Sequence, residues 1–197
     1  MVRCEEAVTM AILGIGHDVV DVRAFGEQLE MPGSRGRSLF SARELRQARM
    51  RAGCKNDGEA VHLAGKWAAK ESAVKAWCAA LGEVSAPYTL DNTPWSGIEI
   101  LGDARGVPHV LLQPAVHAEL VCSLAHAEGA SAAGVPRGAG VSDAVGVDGG
   151  DGPSDVSGAL TGARTSGASD PVQLRWHLSI SHDGPIASAV AVLERAE

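Results

Sequence analysis

The chain lacks any Cys-x-x-Cys pair: its four cysteines, Cys4, Cys54, Cys78 and Cys122, are scattered through 197 residues. They are too few and too dispersed for a disulfide scaffold, which points to a reducing, cytoplasmic compartment. No apolar run approaches the roughly 18 to 20 residues that span a bilayer. The opening MVRCEEAVTM is too acidic and too short to head a signal peptide. Neither a membrane protein nor a secreted one is expected. Positive charge is also in deficit, with 17 Lys and Arg against 24 Asp and Glu and a net charge of −7. A surface built throughout to hold nucleic acid by counterion release is excluded, so any anionic ligand must be met locally. No internal repeat interrupts the chain.

Hydrophobic residues make up 45% of the sequence, enough at this length for one good core and one domain. Met10 stands directly before the first strand signal, AILGIGHDVV, so residues 1–9 read as a tail and the domain as 10–197. The β-branched content and the glycines at 14 and 16 predict a strand that something approaches closely. DVRAFGEQLE follows at helical spacing. Ser41 and Glu44 form the capping-box pattern of a second helix, and a long helix is predicted from about Gly58 to Leu81, stopped by Gly82. SGIEILGD and GVPHVLLQ read as two strands, AVHAELVCSLAHA as a helix, and WHLSISHDGPIASAVAVLE as two strands about an HDGP turn. The order predicts an α+β fold. Residues 127–171 differ in kind: they hold eleven of the chain's 24 glycines and no aromatic residue. Such a stretch buries too little apolar surface to offset its ordering entropy, so it reads as a flexible insertion within one domain.

Chemistry concentrates in three places. On a regular first strand Asp18 shares a face with Gly14 and Gly16, and bare backbone there leaves room for an ion or ligand; the competing assignment is that Asp18 or Asp21 caps the next helix. On the long helix Trp67, Glu71 and Lys75 share one stripe, while His62, Lys66 and Lys70 share its neighbour. A Glu71–Lys75 ion pair contributes only a few tenths of a kcal/mol, too little to explain two charges beside a tryptophan. Mg²⁺ is usually held by one or two carboxylates plus substrate phosphates, and Asp18 with Glu71 supplies two, with lysine as a point charge for phosphate oxygens. The third place is LSISHDG. Ser181 and His182 are adjacent on a strand and face opposite ways, which disfavours a nucleophile and base pair. His182 is left as a phosphate-binding or structural histidine.

Taken together, GIGHDVVDV, FSARELRQAR, WAAKESAVKAW, IEIL with GVPHVLL, and LSISHDGPIASAVAVLE resemble the phosphopantetheinyl transferases of the holo-[acyl-carrier-protein] synthase type, in the family's order. The resemblance covers nearly the whole chain outside the insertion and the tail. It implies a 4′-phosphopantetheinyl transferase-like fold, with a long helix packed on a mostly antiparallel sheet. It also implies Mg²⁺-dependent transfer of the 4′-phosphopantetheine arm of coenzyme A to a serine of apo acyl carrier protein, in fatty acid or polyketide synthesis. Carried onto this sequence, Asp18 and Glu71 hold Mg²⁺, Lys75 steadies the phosphate and the leaving group, and His182 binds coenzyme A phosphates. The base is left between Glu71 and a water on the ion. Lys66 stands where the family often has arginine, replacing a bidentate fork by a point charge. His17 replaces a commonly apolar residue. The family's short members are homotrimers with sites between subunits, and the same is expected here.

Arg35, Arg37, Arg43, Arg46, Arg49, Arg51 and Lys55 fall within twenty-one positions that contain one acidic residue, Glu44. In a chain of net negative charge this run predicts the docking surface for an acidic carrier protein or for coenzyme phosphates. Two other classes stay open: an idle coenzyme A or carrier-protein binding module, and a metal-dependent phosphohydrolase.

Overall fold

The structure, a computed structural model, describes residues 10–132 and 173–196. Its first strand, β1 (Met10–Asp21), runs straight into α1 (Val22–Glu30), where Asp21 Oδ1 accepts from Ala24 N at 2.8 Å. Asp21 is thus the helix cap, and Asp18 is free for other work. Helix α2 (Ala42–Lys55) opens with the expected capping box, Glu44 N donating to Ser41 Oγ at 3.2 Å and Ser41 N to Glu44 Oε2 at 2.8 Å. Helix α3 (Glu59–Leu81) follows with Gly58 at its start and Gly82 at its end. Strands β2 (Ile98–Gly102) and β3 (Pro108–Leu112) pair as an antiparallel hairpin, and α4 (Pro114–Ala132) packs behind them. Six residues assigned from composition to the flexible insertion, 127–132, are helical; the remainder of the insertion and the tail lie outside the described residues.

Strands β4 (Gln173–Asp183) and β5 (Ile186–Ala196) form the C-terminal hairpin, turning through Gly184 at φ 55°. β5 is the middle strand of an antiparallel sheet ordered β1-β5-β4, so the first and last described strands pair side by side. Together the elements make the α+β fold that the alternation predicts.

Helix α3 is the spine of the molecule. Leu63, Ala64, Ala68, Ala69, Ala73, Ala76 and Trp77 are all buried, on more than one side of the helix, because the sheet, α1, α2, α4 and β2 all pack around it. Small alanines let those neighbours come close. The helix crosses the sheet's inner face obliquely: Gly65 lies against Ile180 of β4, Ser72 Oγ donates to Ala189 O of β5 at 2.8 Å, and its C-terminal half lies on β1. No helix among the described residues is long and apolar enough to cross a membrane.

Candidate active site

A methyl at Gly16 would sit 2.0 Å from Ser72 O, and one at Gly14 would sit 2.1 Å from Ala76 O. Strand β1 and helix α3 therefore touch main chain to main chain. The glycines do not leave room for a ligand, as strand parity alone suggests; the approaching body is α3 itself. The contact sets up a site one step along. Asp18 is the next inward-facing residue of β1, and it comes alongside Glu71 and Lys75 on α3.

Lys75 Nζ donates to Asp18 Oδ1 at 2.6 Å and to His17 O at 3.2 Å. Asp18 Oδ2 is buried and accepts no hydrogen bond among the described residues. The Glu71 carboxyl is pushed up to about 7, first by burial, then by the neighbouring Asp18 carboxylate, which would accept the Glu71 proton and whose negative charge opposes ionisation, with Lys75 working the other way. Two carboxyl groups in mutual reach with one ammonium leave a surplus negative charge in a partly dry place. An orphaned oxygen beside a second, reluctant carboxylate is the donor chemistry that a hard divalent cation satisfies. Among the described residues no three His, Cys, Asp or Glu side chains converge, so the donor set is two carboxylates with remaining positions open to water or ligand.

Lys66 and His182 are elsewhere. They line a cleft of about 260 Å³ between α2, α3, the β2–β3 hairpin and β4, together with Arg51, Lys55 and His62. Lys66 Nζ donates to Gln47 Oε1 at 2.9 Å and to Ile100 O, and burial, foremost, pushes it down to about 8. Two of its three donors are thereby spent on protein. His182 is exposed, its ring edge-on to that of His62 with centroids 6.4 Å apart. Lys66 and Glu71 are five residues apart on α3, about 140° around the helix, and β5 separates the strands of Asp18 and His182. Within one chain the carboxylate pair and the cationic cleft are two separate places.

The lysines of α3 sort by side. Lys70 is fully buried: its Nζ donates to Glu44 Oε2 at 3.0 Å, Trp95 O at 2.6 Å and Ile98 O. It is an anchor of α3, and its partner is the capping-box glutamate, whose second oxygen accepts from Ile100 N at 2.9 Å. The basic run is partly neutralised by acids from outside its window. Arg37 pairs with Glu59 at 3.0 Å, Arg49 with the same carboxylate at 3.4 Å, and Arg43 with Glu99. Arg35 and Arg46 are exposed and make no ion pair among the described residues, while Arg51 and Lys55 belong to the cleft.

Residues 14–134 match the model of the ACPS family, the 4′-phosphopantetheinyl transferase superfamily. The chain belongs to that superfamily. Among its relatives, the holo-[acyl-carrier-protein] synthase of Bifidobacterium animalis subsp. lactis is 51% identical over 189 residues, covering 94% of this chain and all of the relative. The Bifidobacterium adolescentis protein of the same name is 44% identical, covering 93% and 99%. Among solved structures, the ACPS–CoA complex of Chronobacterium ammoniagenes superposes with a TM-score of 0.62 at 27% identity, covering 96% of this chain and 98% of that one.

Proposed function

We infer that this chain transfers the 4′-phosphopantetheine arm of coenzyme A to a serine of an apo acyl carrier protein, as its holo-[acyl-carrier-protein] synthase relatives are named for doing. The serine Oγ–P bond forms, the pyrophosphate P–O bond breaks, and adenosine 3′,5′-bisphosphate leaves. The observation that carries the mechanism is the juxtaposition of Asp18, with its unpartnered Oδ2, against Glu71 and Lys75.

Asp18 and Glu71 would hold Mg²⁺. When bound, the ion supplies charge neutralisation for the pyrophosphate oxygens. Lys75, already drawn to Asp18, adds a mobile point charge for the phosphoryl group and the departing bisphosphate. As a ligand Glu71 would be held ionised, and an oxygen it keeps off the ion would take the serine proton. Arg51, Lys55, Lys66 and His182 offer the cleft to the phosphates of coenzyme A, for which that dense positive wall is suited.

The separation of the two places supports a site completed between copies of the chain. The sheet's outer face supports it too: Ile12, Ile15 and Val19 of β1 are 63%, 58% and 52% exposed, beside Val190 of β5. We propose that a homotrimer covers this face and brings one copy's carboxylates to the next copy's cleft. For the carrier protein, the unpaired Arg35 and Arg46 are the docking charges, in cytoplasmic fatty acid or polyketide synthesis.

Incubation with coenzyme A and Mg²⁺, with and without apo carrier protein, tests the function. Mass spectrometry should find the carrier modified. Nucleotide release without a carrier would instead identify a phosphohydrolase, and binding without products an idle module.

A further inference from the structure

One carboxylate stands behind the cationic cleft. Asp57 lies in the turn between α2 and α3, where Asn56 is left-handed at φ 54° and Asp57 N donates to Ala52 O at 3.2 Å. This turn lays the Asp57 carboxylate over the first turns of α3, and its Oδ1 meets His62 Nε2 at 2.7 Å. The His62 side chain is 6% exposed. Its ring stands edge-on to His182, at 87° between planes. Both imidazoles line the cleft, and Asp57 does not. Three groups from three segments thus stand in line, a carboxylate, a buried imidazole and an exposed imidazole, the last at the open side of the cleft.

A short hydrogen bond to a carboxylate is strong and directional, so it fixes the plane of the His62 ring. An exposed histidine at a strand end loses side-chain freedom when it grips a ligand; a fixed wall beside it removes part of that loss beforehand. We propose that Asp57 is a positioning residue for coenzyme A, locking His62 as the buttress that presents His182 to a ligand phosphate. The inference rests on reading the cleft as the coenzyme A site.

Steady-state kinetics of transfer, with coenzyme A and apo carrier protein varied separately, test it in D57A, D57E, H182A and the D57A/H182A double variant. In D57A the KM for coenzyme A should rise about tenfold, with kcat within about twofold and the carrier KM unchanged. D57E, which keeps the carboxylate, should recover most of the affinity. The double variant should be no weaker than H182A alone, because Asp57 acts through His182. An unchanged coenzyme A KM in D57A overturns the inference, as does a D57A effect added in full to that of H182A. Equal losses in both KM values with a lowered melting temperature also overturn it, by marking Asp57 as structural. An H182A variant with wild-type KM overturns the cleft reading and this inference together; an impaired H182A beside a silent D57A overturns this inference alone.

Discussion

Lys70→Met is the sharpest perturbation of the spine helix. Methionine approximates the volume of the lysine stem but removes an ammonium whose three donors all meet acceptors: Glu44, Trp95 O and Ile98 O. Two main-chain carbonyls lose a donor and the fully buried Glu44 carboxylate loses its counter-charge. Stranding one partner of a buried pair costs about 3 to 5 kcal/mol. For a chain of this length that lowers the melting temperature by roughly 10 °C. Urea denaturation at fixed protein concentration, pH 7, measures it. The companion variant Glu44→Gln retains an oxygen for Ile100 N but discharges the site, so the double variant should be more stable than the sum of the two single losses predicts, by about 1 to 3 kcal/mol. Losses below about 1 kcal/mol for Lys70→Met, or strict additivity, would refute the pair as an anchor and leave α3 held by apolar packing alone.

Four further outcomes are expected. Binding of Mg²⁺ should release protons, about half a proton per site at pH 7 and nearly none at pH 8.5, because Glu71 at about 7 must ionise to ligate; calorimetry in buffers of different ionisation enthalpy reads this, and Asp18→Asn should abolish it. Lys66 has its folded value lowered to about 8 from 10.5, so between those pH values the unfolded chain holds a proton that the folded one lacks. Stability therefore rises with pH across that window, by up to about 3 kcal/mol, and the rise disappears from the comparison in Lys66→Met. Gly16→Ala puts a methyl 2.0 Å from a helix carbonyl, so transfer should fall at least tenfold, and a wild-type kcat would contradict the main-chain contact. Reversing Arg35 and Arg46 to Glu should raise the carrier KM several-fold and leave that for coenzyme A unchanged.

Much of this was legible in the residues. Ser41 and Glu44 announced α2, Gly58 and Gly82 bracket α3, and HDGP turned where the strands do. Strand parity and helical spacing single out Asp18, Glu71 and Lys75, and the three do meet. Other features lie beyond a linear reading for definite physical reasons. Bare strand glycines say that something comes near, but not whether it is a ligand or a helix backbone. A helix enclosed on several sides keeps only a short exposed edge, at Lys75, Cys78 and Ala79, too little to sort Lys66 and Lys70 from Lys75 by pattern when all fall among alanines. The charge of the basic run depends on Glu59 and Glu99, one on the next helix and one across the chain on β2, so counting within the window overstates it. Nor does strand spacing reveal that β5 slots between β1 and β4, which is what separates His182 from Asp18.

The glycine-mediated seam between β1 and α3 has a consequence for how such a catalyst can change. Because peptide groups, not side chains, set the gap between the two acidic residues, that gap behaves like a fixed gauge. Repacking the rest of the interior alters how firmly the gauge is supported, yet hardly its length. A search for variants with altered metal preference or substrate reach would accordingly gain most from the surrounding lysines, arginines and histidines, and least from the seam itself.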